Sequence, residues 1–245
     1  MQMTLGLIRE RKNPPDQRAV LSPSQCTDLL HHYPSLRILV EPSEIRAFAN
    51  QDYVDAGCQL TDQLSDADWL LGVKEVPVDH LHPGKTHFFF SHTYKRQPSN
   101  RDLLKACVDK GVRLIDWELL KHNHDRVIGF GVYAGLVGAY EALRGYGMKR
   151  KEFDLSPALK LGTVSELKRS LQATNTSLRA AITGSGRVAS GARDMLLAAG
   201  LKEVSPEAYL SNEQAACFTV LPASAYVQRS SDGGFNKGEF YQRPD

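Results

Sequence analysis

Three consecutive phenylalanines, at positions 88 to 90, lie at the centre of the segment "GKTHFFFSHTYK". A continuous apolar run preceded by Pro83-Gly84 is typical of a strand that is covered on both faces. Strands of this kind belong mostly to parallel sheets, and parallel α/β sheets bind ligands just beyond the carboxyl ends of their strands. His92 follows the run directly, so we expect its imidazole at that edge of a sheet.

Short apolar runs alternate with segments of helical pattern along most of the chain, which predicts a parallel α/β architecture. The predicted strands are 3–8, 36–40, 69–73, 87–90, 112–115, 178–183 and 217–221, and the predicted helices are 22–32, 48–56, 101–110, a long one from Gly129, 164–172 and one after the glycines at 184–186. We expect an N-terminal parallel-sheet substrate lobe at 1–128, an inter-lobe helix and linker at 129–163, and an incomplete Rossmann-type dinucleotide-binding lobe at 164–245.

The formal net charge is +2 and the basic residues form no block, which argues against nucleic acid and anionic membranes as partners. No apolar stretch is long enough to span a membrane, and the N-terminal segment turns polar too early for a signal peptide. The cysteines are too scattered for a zinc site or a disulfide framework, so we expect reduced, mostly buried thiols. These features predict a cytoplasmic protein that acts on a small molecule without a metal, and they leave its oligomeric state open.

Polar side chains follow four of the predicted strands at the point where each strand ends. These side chains are Arg18, Lys74, Glu75, His92, Asp116 and Glu118. Because the carboxyl ends of parallel strands meet at one edge of a sheet, we expect a shared site for a small polar substrate. An arginine suits the bidentate capture of a carboxylate, and a histidine titrates near neutral pH.

The second lobe contains the segment Gly184-Ser185-Gly186-Arg187-Val188-Ala189, which matches the G-x-G-x-x-G/A pattern between a strand and a helix. In that pattern the first glycine permits a tight turn, the second lets the backbone approach a pyrophosphate, and the alanine allows close packing of the helix on the strand. Glu203, about 20 residues further on, is the candidate for binding the ribose diol. We therefore expect NAD as the cofactor, with NADP left open.

The sequence resembles the alanine dehydrogenase and transhydrogenase N-terminal superfamily, in particular the lysine-forming saccharopine dehydrogenases and the lysine–ketoglutarate reductase domains. The segments that carry the resemblance are "IRERKNPPDQRAVLSP", "GVKEVP", "FFFSHTYK", "RLIDWELL", "GFGVYAGLVGA" and "GSGRVASGA". The resemblance implies NAD(P)-dependent cleavage of saccharopine to lysine and 2-oxoglutarate, or the reverse. It implies that Lys74 is the acid/base at the secondary amine and that His92 activates water. It also implies substrate-binding or charge-tuning roles for Arg18, Glu75, Glu118 and Tyr133.

Two further interpretations use the same residues. An alanine dehydrogenase-like enzyme would direct Arg18, Lys74 and His92 at a smaller amino acid, and a catalytically silent homologue would act as a binding or regulatory module. A dinucleotide-binding sheet usually has about six strands, and the sequence stops after the second or third. We therefore expect either a fragment or a truncated homologue, and no dehydrogenase activity from these 245 residues alone.

Overall fold

The computed structural model describes residues 3–172, 174, 177–211 and 215–243. The chain divides into two compact units, Met1–Ile128 and Gly129–Asp245. Each unit contains its own parallel β-sheet. In the described residues, no helix has the length and apolar character needed to cross a membrane.

The first unit contains most of the strands and three helices. The strands are β1 (Met3–Leu7), β2 (Leu36–Val40), β3 (Gln59–Leu60), β4 (Trp69–Leu71), β5 (Thr86–Phe89), β6 (Arg113–Asp116) and the hairpin pair β7 (Lys121–His122) and β8 (Asp125–Arg126). The helices are α1 (Pro23–His32), α2 (Asn50–Asp55) and α3 (Arg101–Asp109). Every strand and helix predicted in this part of the chain is present, and the side chain of Ser22 caps α1. The sequence did not predict β3, β7 and β8, because a strand of two residues is too short to show periodicity.

The main sheet of the first unit has the strand order β3-β2-β1-β4-β5-β6 within the described residues, and its strands are all parallel. In chain order, β2 and β3 are added on one side of β1, and β4, β5 and β6 are then added on its other side. Such a reversal creates a topological switch point, here between β1 and β4, where the loops that follow the two strands leave a crevice. A ligand site is therefore expected beside the loops after Leu7 and Leu71.

Alternate residues of the central strands face two different helical layers. Leu5 and Leu7 pack in a core with Cys26 and Tyr53 on the side of α1 and α2. The opposite face, which includes Leu70 and Phe89, packs against α3. The sheet is therefore covered on both faces, which is why its strands read as continuous apolar runs. All four cysteines are buried thiols, as predicted.

The second unit consists of helices around a small parallel sheet. Its elements are α4 (Gly131–Arg150), α5 (Val164–Leu171), β9 (Arg179–Thr183), α6 (Arg187–Ala198), β10 (Lys202–Glu203), α7 (Pro206–Leu210), β11 (Cys217–Leu221) and α8 (Lys237–Gln242). Within the described part of the chain, the strand order is β10-β11-β9. The helix that we interpreted as an inter-lobe connection, α4, packs inside this unit against α6.

Two glycines allow α4 and α6 to pack with their backbones in contact. A Cβ atom on Gly135 would lie 1.9 Å from the carbonyl oxygen of Val188, and one on Gly191 would lie 2.1 Å from that of Val132. Both distances are far below van der Waals contact, so neither position accepts a side chain without separation of the helices. Gly135 of α4 and Gly191 of α6 are thus required for the close packing of the two helices.

We predict that Gly135→Ala lowers the free energy of unfolding of the second unit by about 3 kcal/mol or more, because the obstacle is backbone and cannot move aside. Gly145→Ala in the same helix is the control. A Cβ there meets nothing within 4 Å, so alanine should raise stability by up to about 1 kcal/mol through helix propensity. Urea denaturation of both variants measures the difference, and equal effects would contradict the packing argument.

Candidate active site

Glu10 joins the two loops at the switch point of the first unit. Its carboxylate accepts hydrogen bonds from the backbone N–H groups of Val73, at 2.7 Å, and Lys74, at 2.8 Å. Burial raises the pKa of Glu10, and the two backbone hydrogen bonds only partly oppose this effect. The loop after β1 is thereby held against the end of β4.

Arg18 lies in the same loop, and its guanidinium binds Asp16. The Arg18 Nε donates to Asp16 Oδ1 at 2.9 Å, and its Nη2 donates to Oδ2. The hydrogen bond from Arg18 lowers the pKa of Asp16, and the charge of Lys74 lowers it further. The charges of Arg18 and Lys74 thus both act on Asp16, and a shared substrate site for the two cations stays a prediction. A substrate carboxylate bound by Arg18 would compete with Asp16 for the guanidinium.

Glu75 connects this cluster to the next strand. Lys12 Nζ lies 2.7 Å from Glu75 Oε2. Burial alone would raise the pKa of Glu75, but the hydrogen bond from Lys12, a backbone hydrogen bond and the charges of Lys12 and His92 together outweigh it and lower the pKa. The carboxylate is therefore ionised between a lysine and the candidate base.

Two features fix His92: an unusual backbone conformation and a contact of its imidazole ring. Its φ is +54°, in the left-handed region that non-glycine residues rarely adopt. Its Nδ1 lies 2.9 Å from Glu118 Oε2. When Nδ1 donates its proton to Glu118, Nε2 is left with a lone pair and can act as a base.

Glu118 is the most highly connected carboxylate of the site. Besides His92, it contacts Lys95 Nζ at 3.0 Å and Arg126 Nη1 at 3.0 Å. Burial would raise the pKa of Glu118, but hydrogen bonds from Lys95, Tyr94 and His92 outweigh it and lower the pKa to about 2. The carboxylate therefore stays ionised at neutral pH, and it fixes the ring of His92.

Two cavities open beside these loops. A shallow one has Glu10, Lys74 and Glu75 in its lining. The other has a volume of about 360 Å³, and its lining includes Glu41 and His82. The first is too small to admit a water molecule, and the lining of the second includes none of Arg18, Lys74 and His92.

The structure reveals polar partners that the sequence analysis did not select. They are Glu10, Lys12, Asp16, Lys95 and Arg126. None of these residues stands in a pattern that separates it from ordinary loop charges. The contacts of Glu10, Lys12 and Lys95 join residues more than 20 positions apart, which periodicity does not report.

The second unit forms the glycine turn that the sequence predicts. Gly184 has φ +85°, and its N–H donates to the carbonyl of Leu221 at 2.7 Å. Gly186 precedes α6 without a side-chain cap, and a Cβ there would meet nothing within 4 Å. Ala189 is buried beneath the turn. The glycine turn leads directly from β9 into the start of α6, and this strand–turn–helix arrangement fits the pyrophosphate of a dinucleotide.

The structure does not bring every predicted residue to its expected neighbourhood. Glu203 lies on β10, but β11 separates that strand from β9 and its glycine turn. The Glu203 carboxylate is bound by Arg193 at 2.6 Å. This arrangement argues against a ribose-binding role for Glu203. Tyr133 lies on α4 with 61% of its surface exposed, and its role in substrate binding stays a prediction. The described residues contain no group of three or more histidine, cysteine or acidic side chains arranged to hold a metal ion.

Residues 6–137, more than half of the chain, match the family model described as "Alanine dehydrogenase/PNT, N-terminal domain". The chain belongs to this family. The match covers the main sheet of the first unit and all the strand-end residues named above. It confirms the resemblance to the alanine dehydrogenase and transhydrogenase N-terminal superfamily.

Two curated relatives and one solved structure extend the comparison. Alpha-aminoadipic semialdehyde synthase, mitochondrial, from Bos taurus is 30% identical, over 98% of this chain and 28% of its own length. Saccharopine dehydrogenase (NAD(+), L-lysine-forming) from Candida glabrata is 31% identical, over 83% of this chain and 59% of its own. The structure of an L-alanine dehydrogenase matches with a TM-score of 0.59 at 19% identity, and the match covers 91% of this chain and 62% of that one. This match confirms the α/β fold, and the chain spans less than two thirds of each protein.

We predict that Glu118→Gln reduces stability in a pH-dependent way. The folded pKa of Glu118 is about 2, below the value of about 4.3 for an unfolded glutamate, so ionisation stabilises the fold above about pH 4.3. The variant should be about 1 kcal/mol less stable at neutral pH. The difference should shrink as the pH falls from about 4.3 towards 2. Urea denaturation between pH 7 and 3 measures it, and a constant difference would contradict the account.

Proposed function

We propose that this chain provides the substrate lobe and the phosphate-binding turn of an NAD(P)-dependent oxidoreductase that acts on the C–N bond of saccharopine. The observation that carries the proposal is the charged cluster at the switch point, in which a lysine and a histidine follow neighbouring strands. The names of the curated relatives support saccharopine as the substrate.

In the proposed reaction, Lys74 in its neutral form takes the proton from the secondary amine of saccharopine. The nicotinamide cofactor, held by the residues Gly184 to Ala189, would supply the hydride acceptor that oxidises the C–N bond to C=N. His92 then takes a proton through Nε2 from the water that attacks the C=N carbon. Protonated Lys74 returns its proton to the nitrogen as the C–N bond breaks, and the new hydroxyl group loses its proton to solvent, which gives lysine and 2-oxoglutarate. Glu118 stabilises the protonated imidazole, since its carboxylate lies 2.9 Å from Nδ1.

The remaining residues bind the substrate or adjust the charge around the two candidate bases. We propose that Arg18 binds a substrate carboxylate, with Asp16 holding the guanidinium in place until substrate arrives. Glu75 places a negative charge beside Lys12 and near His92, where it favours the protonated imidazole. We propose that Tyr133 contacts the substrate in the whole enzyme.

The cofactor would be held by Gly184, Ser185, Gly186, Arg187, Val188 and Ala189, the residues of the turn and of the first turn of α6. The start of a helix suits the pyrophosphate, which is common to NAD and NADP. NAD remains our preference on the strength of the curated names alone, because Glu203 lies one strand away from the turn.

The proposal is tested with the longest open reading frame that contains these residues. Reduction of NAD or NADP is followed by absorbance with saccharopine, and in parallel with L-alanine. Turnover of saccharopine supports the proposal. Turnover of L-alanine alone would favour an alanine dehydrogenase-like enzyme, and absence of both would favour a binding module.

We predict that Lys74→Met lowers kcat by about 10²–10⁴-fold, the usual contribution of a general acid–base group, while the Kd for the cofactor is unchanged. Lys105→Met is the matched control, because Lys105 is exposed on α3 and pairs with Asp109. Steady-state kinetics and cofactor titration measure both variants. An unchanged kcat in the Lys74 variant would exclude the acid/base role.

We also predict that Gly186→Val weakens dinucleotide binding by about tenfold or more without loss of fold. Gly186 has φ −87° and ψ −168°, which valine adopts readily, and its Cβ would enter open space. That space is where the pyrophosphate would approach the backbone. Calorimetric titration of the 245-residue chain with NAD compares the variant with the wild type, and equal affinity would exclude this turn as the phosphate site.

A further inference from the structure

The two candidate bases share a feature of their backbones. The N–H of Lys74 donates to Glu10 Oε2 at 2.8 Å, and the N–H of His92 donates to Asp116 Oδ2 at 2.8 Å. In both cases a carboxylate from a different loop or strand accepts from the backbone of the base residue itself. The bases are thus fixed at the main chain, independently of what their side chains contact.

Asp116, at the end of β6, accepts several hydrogen bonds from neighbouring site residues. Its side chain is buried, at 7% exposure. Its Oδ2 accepts from the N–H of Ser91 at 3.1 Å and from the Ser91 hydroxyl at 2.7 Å, in addition to His92. Its Oδ1 accepts from the N–H of Glu118 at 2.8 Å. One carboxylate therefore holds both the histidine and the glutamate that binds the ring.

The conformation of His92 requires such an anchor. A φ of +54° is unfavourable for a side-chain-bearing residue, and it persists only where the surroundings impose it. Three donors of the Ser91–His92 segment converge on one oxygen atom. Only an acceptor without hydrogens can satisfy all three, and an ionised carboxylate is such an acceptor.

Glu10 has the corresponding place after β4. Both of its oxygen atoms accept backbone N–H groups, from Val73 and Lys74. It crosses the switch point from the loop after β1, so it fixes the direction in which the chain leaves β4. The backbone position from which the Lys74 side chain extends is therefore fixed.

We propose that Glu10 and Asp116 are positioning residues that set the locations of Lys74 and His92 through their backbone N–H groups. The inference rests on the proposed function for its catalytic consequence. Neither carboxylate takes a proton from substrate; each acts through the base that it holds.

The kinetic test uses amide isosteres in a double-mutant cycle on the whole open reading frame. Asp116→Asn replaces one acceptor oxygen with an NH₂ group, which must face either the donors of Ser91 and His92 or the N–H of Glu118, so one of these two anchors is lost. We expect kcat to fall about 10- to 100-fold, as misplacement of a catalytic group by about 1 Å does, with little change in KM. In a His92→Ala background the same substitution should cause no further loss. Glu10→Gln should behave likewise in wild type and in a Lys74→Met background.

Asp68→Asn is the control, because Asp68 also accepts a backbone N–H, that of Thr4 at 2.8 Å, at the amino-terminal edge of the same sheet. It should leave kcat unchanged. A loss of kcat that is equal in the wild-type and His92→Ala backgrounds would show that Asp116 acts on the fold as a whole, and it would overturn the proposal.

A second readout does not need activity. Amide hydrogen exchange in the 245-residue chain should accelerate about tenfold or more at His92 in Asp116→Asn and at Lys74 in Glu10→Gln, with core amides unchanged. Glu10 is only partly buried, so its variant keeps the test available even where Asp116→Asn does not fold. Unchanged exchange at both amides would overturn the proposal. Absence of turnover with saccharopine would count against the proposed function alone, since the exchange rates still decide the positioning.

Discussion

The backbone N–H groups just beyond the carboxyl ends of β4 and β5 lie where the regular hydrogen bonding of the sheet stops. Leaving them unpaired in a partly buried crevice would be costly, and carboxylates are the acceptors that this protein supplies. Glu10 reaches across the switch point to Val73 and Lys74, and Asp116 serves Ser91 and His92 from the neighbouring strand. The geometry of the candidate active site depends on these two acceptors.

Electrostatics then organises the side chains around the fixed backbone. Cations and anions alternate, from Arg18 and Asp16 through Lys74 to Glu75 and on to His92 and its partner carboxylate. Each carboxylate in this series is stabilised in its ionised form by a neighbouring cation, which offsets the cost of its burial. The arrangement presents charges of both signs at the carboxyl-terminal edge of the sheet.

The sequence was informative wherever a pattern is local. Strand bounds at Leu36–Val40 and Cys217–Leu221, and the positions of Lys74 and His92 after their strands, followed from apolar runs and the residues that end them. The acceptor roles of Glu10 and Asp116 did not follow from local patterns, because each depends on the pairing of segments more than 20 residues apart. Glu203 illustrates the same limit. Its spacing from the glycine turn suited a ribose contact, but spacing does not determine the strand order, which inserts β11 between them.

Chemical-shift mapping of saccharopine on the 245-residue chain tests the central claim most directly, namely that the loops after β1, β4, β5 and β6 form one substrate site. Backbone amide spectra are recorded during titration with saccharopine, with and without NAD. The account predicts shifts concentrated at Lys74, His92 and Glu118 and in the loop that contains Arg18. Shifts concentrated at the opposite edge of the sheet, near Asp68 and Lys85, would contradict it.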